Sequence, residues 1–440
     1  NSVNVISTQA GDDFIEARGG NDTVFAGSGN DTIKATSALD GVDYYDGGVG
    51  SDTIDYRNLT ASNQLTLNLS VAATTLFTGS STADAWQVTI ANGNNDIIKG
   101  IENIISGAGN DIIYANSNSN TLQGGAGTDT LSGGDGIDVI NGYYIGETES
   151  SIEYDTVSYE YLTSKAVTVN LETGIAYVDA NDNDTLISIE NLIGGSLNDV
   201  ITGSSVVNIL QGAAGDDTFV SSLGDDFIYG GTIIADSHTT GDMVDYSNSI
   251  NSNNKLFIDL GAVTSGYSEA FVTLISNNSK AYTDRLFGIE NITGTQNNDT
   301  LYGNALNNLI LDYGNVGVSY LYGGYGNDTL WGYTGDDFLA GEWGNDTIYG
   351  GDNTDTIAGG ANSDTLWGEG GADYFTYYDR SESINNSYGW DIIKDFNRWE
   401  GDKIDLSWLD ANLNKSGSQA FTVDHFNYYG WGNNGYLEVY

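Results

Sequence analysis

Gly323-Gly324-Tyr325-Gly326-Asn327-Asp328-Thr329-Leu330-Trp331 is a nine-residue unit that continues in strict register through 332–340, 341–349, 350–358, 359–367 and 368–376. Repetition at a fixed short period is the mark of a solenoid, in which each unit buries its apolar face only against its neighbours. Glycine falls most often at the first, second and fourth positions, where it allows positive φ and lets several carbonyl oxygens face one point. Asp at the sixth position adds a charged oxygen, so the turn has the oxygen-rich character that a hard divalent cation requires. The eighth position is always apolar (Leu330, Leu339, Ile348, Ile357, Leu366, Phe375). Its neighbours at seven and nine must point the opposite way in a strand, so the eighth residue builds the core.

Working outward, the same unit recurs with its sixth-position Asp at Asp13, Asp22 and Asp31, then Asp52, then Asp111, Asp129 and Asp138. It returns at Asp199, Asp217 and Asp226, at Asp299, and in the C-terminal run at Asp328, Asp337, Asp346, Asp355, Asp364 and Asp373. These seventeen carboxylates are the candidate metal ligands. Asn120, Asn208, Asn308 and Ser319 stand where Asp is expected, which leaves those turns to a weaker ion, a water or neither.

The nonapeptide resembles that of the repeats-in-toxin (RTX) family of secreted calcium-binding proteins, with hemolysin-type repeats. The resemblance implies an all-β fold, a parallel β-roll in which two units make one coil and multiple Ca2+ ions sit between stacked turns. It also implies export through a type I secretion channel and folding in extracellular calcium.

Composition agrees. Sixty-one acidic against thirteen basic residues give a formal charge of −48, strongly self-repelling in a compact metal-free chain. Folding is therefore expected to be coupled to calcium. Nucleic acid is excluded as a partner by the lack of clustered Lys and Arg. No run approaches eighteen apolar residues, so no transmembrane helix is expected. No signal peptide opens the sequence, and Asn1 in place of Met leaves processing or trimming open. The absence of Cys removes disulfides as a source of stability, and the absence of Pro suits a long ladder that needs every N–H.

A second, longer repeat interrupts the nonamers. Asp52-Thr53-Ile54-Asp55-Tyr56, Asp155-Thr156-Val157-Ser158-Tyr159 and Asp242-Met243-Val244-Asp245-Tyr246 each precede an alternating strand, and each set closes on Ile-Glu-Asn at 101–103, 189–191 and 289–291. The alternating strands, such as Leu65-Thr66-Leu67-Asn68-Leu69, predict β insertions that bulge from one edge and cover something on one face. They either widen the roll or contact another subunit. Glu102, Glu190 and Glu290 are read as extra calcium ligands or as solvent-facing turn residues. The chain divides into an N-terminal roll block (1–55), three modules of insertion plus repeats (56–142, 143–230, 231–311), a C-terminal roll (312–376) and an aromatic cap (377–440). The segment 391–407 resembles the region closing the roll in serralysin-like proteases.

Trp331, Tyr349 and Trp367 share the ninth position at an eighteen-residue spacing, which stacks them on one sheet, while Ala340 and Ala358 occupy that position on the other. The aromatic ladder is a candidate contact surface for a neighbouring subunit or a cell-surface glycan, unless the same chain covers it. Catalysis is not expected: the two His, His238 and His425, form no His-Glu-x-x-His motif, there is no Gly-x-Ser-x-Gly elbow and no thiol, and Asp379 with Glu382 fits no catalytic pattern. The expectation is a secreted structural protein that assembles into a surface layer or extracellular filament as a homo-oligomer. Alternatives are an adhesin or glycan-binding segment, and the secretion and folding cassette of an exoenzyme or toxin.

Overall fold

A computed structural model of the chain describes residues 2–39, 41–69, 85–145, 153–231, 241–248, 255–261, 263–264, 267–276, 279–314, 317–379, 382, 390–408, 426–429 and 436–439. His238, His425, Phe421 and Trp431 lie outside the described residues. The residues fall into two compact units, 1–213 and 214–440. Each is all-β, a parallel β-roll with two facing sheets fed by alternate nonamers.

In the second unit one sheet stacks Thr300–Tyr302, Tyr320–Tyr325, Phe338–Trp343, Thr356–Ala361, Tyr374–Thr376 and Lys403–Asp405 in parallel. The other stacks Asn291–Thr293, Leu309–Leu311, Thr329–Trp331, Thr347–Asn353, Thr365–Gly371 and Ile392–Ile393. The eighth-position residues Leu330, Leu339, Ile348, Ile357, Leu366 and Phe375 are at most 1% exposed. Each contributes on the order of 2 kcal/mol by leaving water. Several strands run on past positions seven to nine of the unit: Thr347–Asn353 and Thr365–Gly371 carry seven residues each. Turns of identical conformation stack directly, so Gly351 pairs with Glu369 and Asp352 with Gly370, and the ladder continues around the corner.

The insertions do not bulge from an edge. Each adds two rungs inside a sheet, one of which runs antiparallel to the stack and pairs antiparallel on both sides. In the first unit Asp96–Lys99, parallel to Tyr44–Val49, pairs antiparallel with Ala85–Ile90, which pairs with Leu65–Asn68, which returns to the parallel stack at Ile112–Tyr114. The next insertion does the same in the opposite sheet, through Asp182–Ile187, Ile175–Asp179, Thr168–Asn170 and Val200–Thr202. In the second unit Arg285–Phe287, Tyr267–Ser276, Lys255–Asp259 and Thr300–Tyr302 repeat it. Alternation explains the fit: Leu65 and Leu67 are buried while Thr66 and Asn68 face out, the same inward face that the eighth positions present.

The parallel stack also outlasts the glycine period. Ile392–Ile393 and Lys403–Asp405 add a further rung to each sheet. Antiparallel pairing of Ile392–Ile393 with Tyr436–Val439, itself paired with Phe426–Tyr429, then covers that sheet edge.

Candidate metal centre

Along each turn edge the Asp carboxylates form a ladder. Asp346 Oδ1 accepts the backbone N–H of Asp328 at 2.8 Å, Asp364 that of Asp346 at 2.8 Å, and Asp391 that of Asp364 at 3.0 Å. On the other edge Asp355 accepts from Asp337 at 2.8 Å, Asp373 from Asp355 at 3.0 Å and Asp402 from Asp373 at 3.2 Å. One carboxylate oxygen thus satisfies the preceding coil. The second oxygen is the informative one.

For Asp22, Asp31, Asp52, Asp129, Asp138, Asp328, Asp337, Asp346, Asp355, Asp364 and Asp373, Oδ2 is buried with no hydrogen-bond partner. Asp155 shares this state. It opens the Asp-x-hydrophobic strand that ends in Tyr159, so the repeat pattern itself was its signal. Burial raises the carboxyl pKa of several of these groups: Asp337 to about 6, Asp328 and Asp346 to about 7, Asp355 to about 8 and Asp129 to about 8. Asp364 is pushed up to about 9 by burial and by Asp391 beside it. A buried carboxylate oxygen without a donor is costly, and a cation is its natural partner.

The first glycine of each unit supplies the space. A Cβ placed on Gly350 would stand 2.6 Å from Asp355 Oδ2 and 3.0 Å from the Gly368 carbonyl oxygen. The same carboxylate and carbonyl pairing surrounds Gly323 (Asp328, Gly341) and Gly341 (Asp346, Gly359). Among the described residues no three acidic, His or Cys side chains gather as an all-side-chain metal site. One carboxylate per turn plus carbonyls of the stacked turns is the oxygen-only donor set that suits Ca2+.

Other predicted ligands are satisfied by the protein. Ser106 donates to Asp111 Oδ2, Gly195 N–H to Asp199 Oδ2 at 2.6 Å, and Ser222 to Asp226 Oδ2 at 2.9 Å. Asp299 accepts from the N–H and the hydroxyl of Thr295. Asp13 differs from these: it is half-buried, and only its backbone N–H enters the ladder, donating to Asp31 Oδ1 at 2.8 Å. A third group is satisfied by tyrosine: Tyr56, Tyr159 and Tyr246, all fully buried, donate to Oδ2 of Asp96 (3.0 Å), Asp184 (2.9 Å) and Asp284 (2.7 Å).

The three Asn turns are also occupied internally. Asn120, Asn208 and Asn308 each donate Nδ2 to the carbonyl of Glu102, Glu190 and Glu290, at 2.6, 2.6 and 2.7 Å. An amide donor thus stands where other coils present an unpaired carboxylate oxygen. Glu190 and Glu290 are buried and Glu102 half-buried, and the Oε2 atoms of Glu102, Glu190 and Glu290 accept the N–H of Asp52, Asp155 and Asp242, extending the ladder in place of Asp. Glu382, in turn, accepts the N–H of Tyr378 and Asp379.

Trp331, Tyr349 and Trp367 do form a ladder: Trp331 and Tyr349 are tilted by 48° with centroids 4.6 Å apart, Tyr349 and Trp367 stack at 4.5 Å, and all three are half-buried. The opposite sheet is not uniformly small: beyond Ala340 and Ala358 it carries Tyr322 stacked on Tyr302 at 4.5 Å.

With this geometry established, comparison with known proteins gives a family model for the RTX calcium-binding nonapeptide repeat, which matches residues 1–33, 105–140, 202–232, 286–310, 313–348 and 349–377. A hyperactive, Ca2+-dependent, β-helical antifreeze protein from an Antarctic bacterium aligns over 86% of this chain and 88% of its own at 13% identity, with a TM-score of 0.16, at which no structural equivalence is drawn. No curated protein matches the sequence. The buried ladder of Asp carboxylates and the matched segments together show a chain that carries RTX calcium-binding nonapeptide repeats and takes up multiple Ca2+ ions.

Proposed function

We propose that the chain is a non-catalytic, secreted structural protein, folded by calcium outside the cell and assembling into a surface layer or extracellular filament. The observation that carries this reading is the ladder itself. Buried carboxylates with unpaired oxygens in turn after turn make the fold conditional on a divalent cation, which is scarce inside a cell and abundant outside. The matched repeats support export unfolded through a type I channel, with which that dependence agrees. The rungs at 391–405 and the strand Tyr436–Val439 support the reading of the C-terminal segment as a serralysin-like closure of the roll.

Sedimentation velocity during titration from chelator to millimolar calcium tests the proposal. Compaction followed by growth into large, chelator-reversible species supports assembly. Compaction that stops at a monomer rejects it, and no compaction rejects the calcium-driven fold. The ladder of Trp331, Tyr349 and Trp367 favours a second reading, an adhesin with a glycan platform, because aromatic rings that are only half-covered offer faces for sugar C–H groups. Replacing Trp331 and Trp367 with Thr separates the readings: loss of glycan binding with assembly intact favours the adhesin.

A further inference from the structure

The coil around Ser319 departs from the rest of the second unit. Ladder partners lie eighteen residues apart along the C-terminal run, but Asp299 to Ser319 and Asn308 to Asp328 are each separated by twenty. Two residues, Asp312 and Tyr313, have been added between the strand Leu309–Leu311 and the unit that begins at Gly314. In that unit Ser319 replaces the sixth-position Asp. Its hydroxyl keeps half of the role, accepting the Asp299 N–H at 3.0 Å, but it brings no charge and no second oxygen.

Asp312 restores what Ser319 lacks. It is 0% exposed, and neither carboxylate oxygen has a partner of full hydrogen-bond geometry; the Ser319 hydroxyl and the Gly314 N–H lie near enough to favour its charged form, but burial outweighs them, and the Ser319 hydroxyl donates to the Asn297 carbonyl. In regular coils a Cβ on the first glycine would meet Oδ2 of the Asp five residues later, as Gly350 meets Asp355 at 2.6 Å. At Gly314 the oxygen in that place is Oδ2 of Asp312, at 2.8 Å. Its other oxygen turns to the neighbouring cradle: a Cβ on Gly294 would stand 3.4 Å from Asp312 Oδ1 and 2.7 Å from Asp299 Oδ2. Asp337, one coil on, accepts the Ser319 N–H at Oδ1 (2.8 Å) and keeps Oδ2 unpaired.

We propose that Asp312, from outside the nine-residue pattern, is a calcium ligand that replaces the missing carboxylate of Ser319 and holds an ion between this coil and those of Asp299 and Asp337. The inference rests on the reading of the ladder as calcium-binding. Two buried oxygens without a partner of full hydrogen-bond geometry, facing a second carboxylate, need a divalent cation, and no other positive group among the described residues is paired with Asp312.

Equilibrium dialysis against radioactive calcium at saturation counts the ions per chain in the wild type, Asp312→Asn, Asp355→Asn and the double variant Asp312→Asn/Ser319→Asp. The expected result is one ion fewer for Asp312→Asn, a loss for Asp355→Asn, and the wild-type count for the double variant, whose new carboxylate sits at the regular position. A wild-type count in Asp312→Asn beside a reduced count in Asp355→Asn overturns the proposal while the ladder reading stands. A wild type that binds no calcium overturns both. Should Asp312→Asn fail to fold, Ser319→Asp alone carries the test: an unchanged count supports an already occupied turn, and a gain of one ion overturns it.

Discussion

Removing calcium should make the fold stable in acid and unstable at neutral pH, the reverse of ordinary acid denaturation. Asp355 has a carboxyl pKa raised from 3.8 to about 8 by burial, and Asp337 one raised to about 6. Because the folded value lies above the unfolded one, the folded state holds protons that the unfolded state has released. These groups impose no penalty below about pH 4, and the penalty grows as pH rises toward their folded values. At pH 7 the penalty is about 4 kcal/mol for Asp355 and about 3 kcal/mol for Asp337. Asp129, Asp138 and Asp346 are raised in the same way, to about 8, 8 and 7. A few such groups equal the whole stability of a typical domain, about 5 to 15 kcal/mol.

Circular dichroism of chelated protein between pH 4 and 8 should therefore show strand content lost as pH rises. Calorimetric titration of calcium near pH 6 in buffers of different ionisation enthalpy should show proton release. Salt separates this from repulsion at the surface, because screening weakens exposed charges and leaves a buried desolvation penalty nearly intact. Equal strand content of the chelated chain at pH 4.5 and 7.5, or full recovery at pH 7.5 in 0.5 M salt (roughly a 4 Å screening length), would refute the reasoning.

Three further outcomes follow from single side chains. Tyr159→Phe removes the donor to Asp184 Oδ2 and should cost about 1 to 3 kcal/mol in denaturant melts with calcium present, with most of the loss recovered by Tyr159→Phe/Asp184→Asn. Asn208→Asp replaces the amide that donates to the Glu190 carbonyl and should lower the melting temperature in chelator, while raising calcium uptake if the new carboxylate recruits an ion. Glu342 sits at φ 73° where most units have glycine, so Glu342→Gly should stabilise by about 1 kcal/mol, whereas Ala at Gly326, φ 126° with its Cβ against the Leu306 carbonyl, should destabilise by more than that.

Much of the site was legible before any coordinates. The eighth-position core and the sixth-position Asp follow from a period of nine, since a strict repeat forces equivalent residues into equivalent places. Its limits appear wherever the partner comes from another part of the chain. Asp111, Asp199, Asp226 and Asp299 look like their neighbours in sequence, yet a Ser, a Thr or a turn N–H four or five residues earlier satisfies them. Tyr56, Tyr159 and Tyr246 were visible as a recurring strand end, but their hydroxyls reach Asp residues 40, 25 and 38 positions away. The signal for Asp312 lay in the broken register, twenty residues where eighteen are the rule.

Local rules of glycine conformation, strand alternation and oxygen chemistry act within nine residues, so the sequence alone determined an all-β roll with acidic, cation-seeking turns. Which of those turns lacks a protein donor depends on what the adjacent coil and each insertion place against it. Only the tertiary structure decided that, because a buried carboxylate oxygen is satisfied or orphaned by neighbours distant in sequence, whatever its own motif.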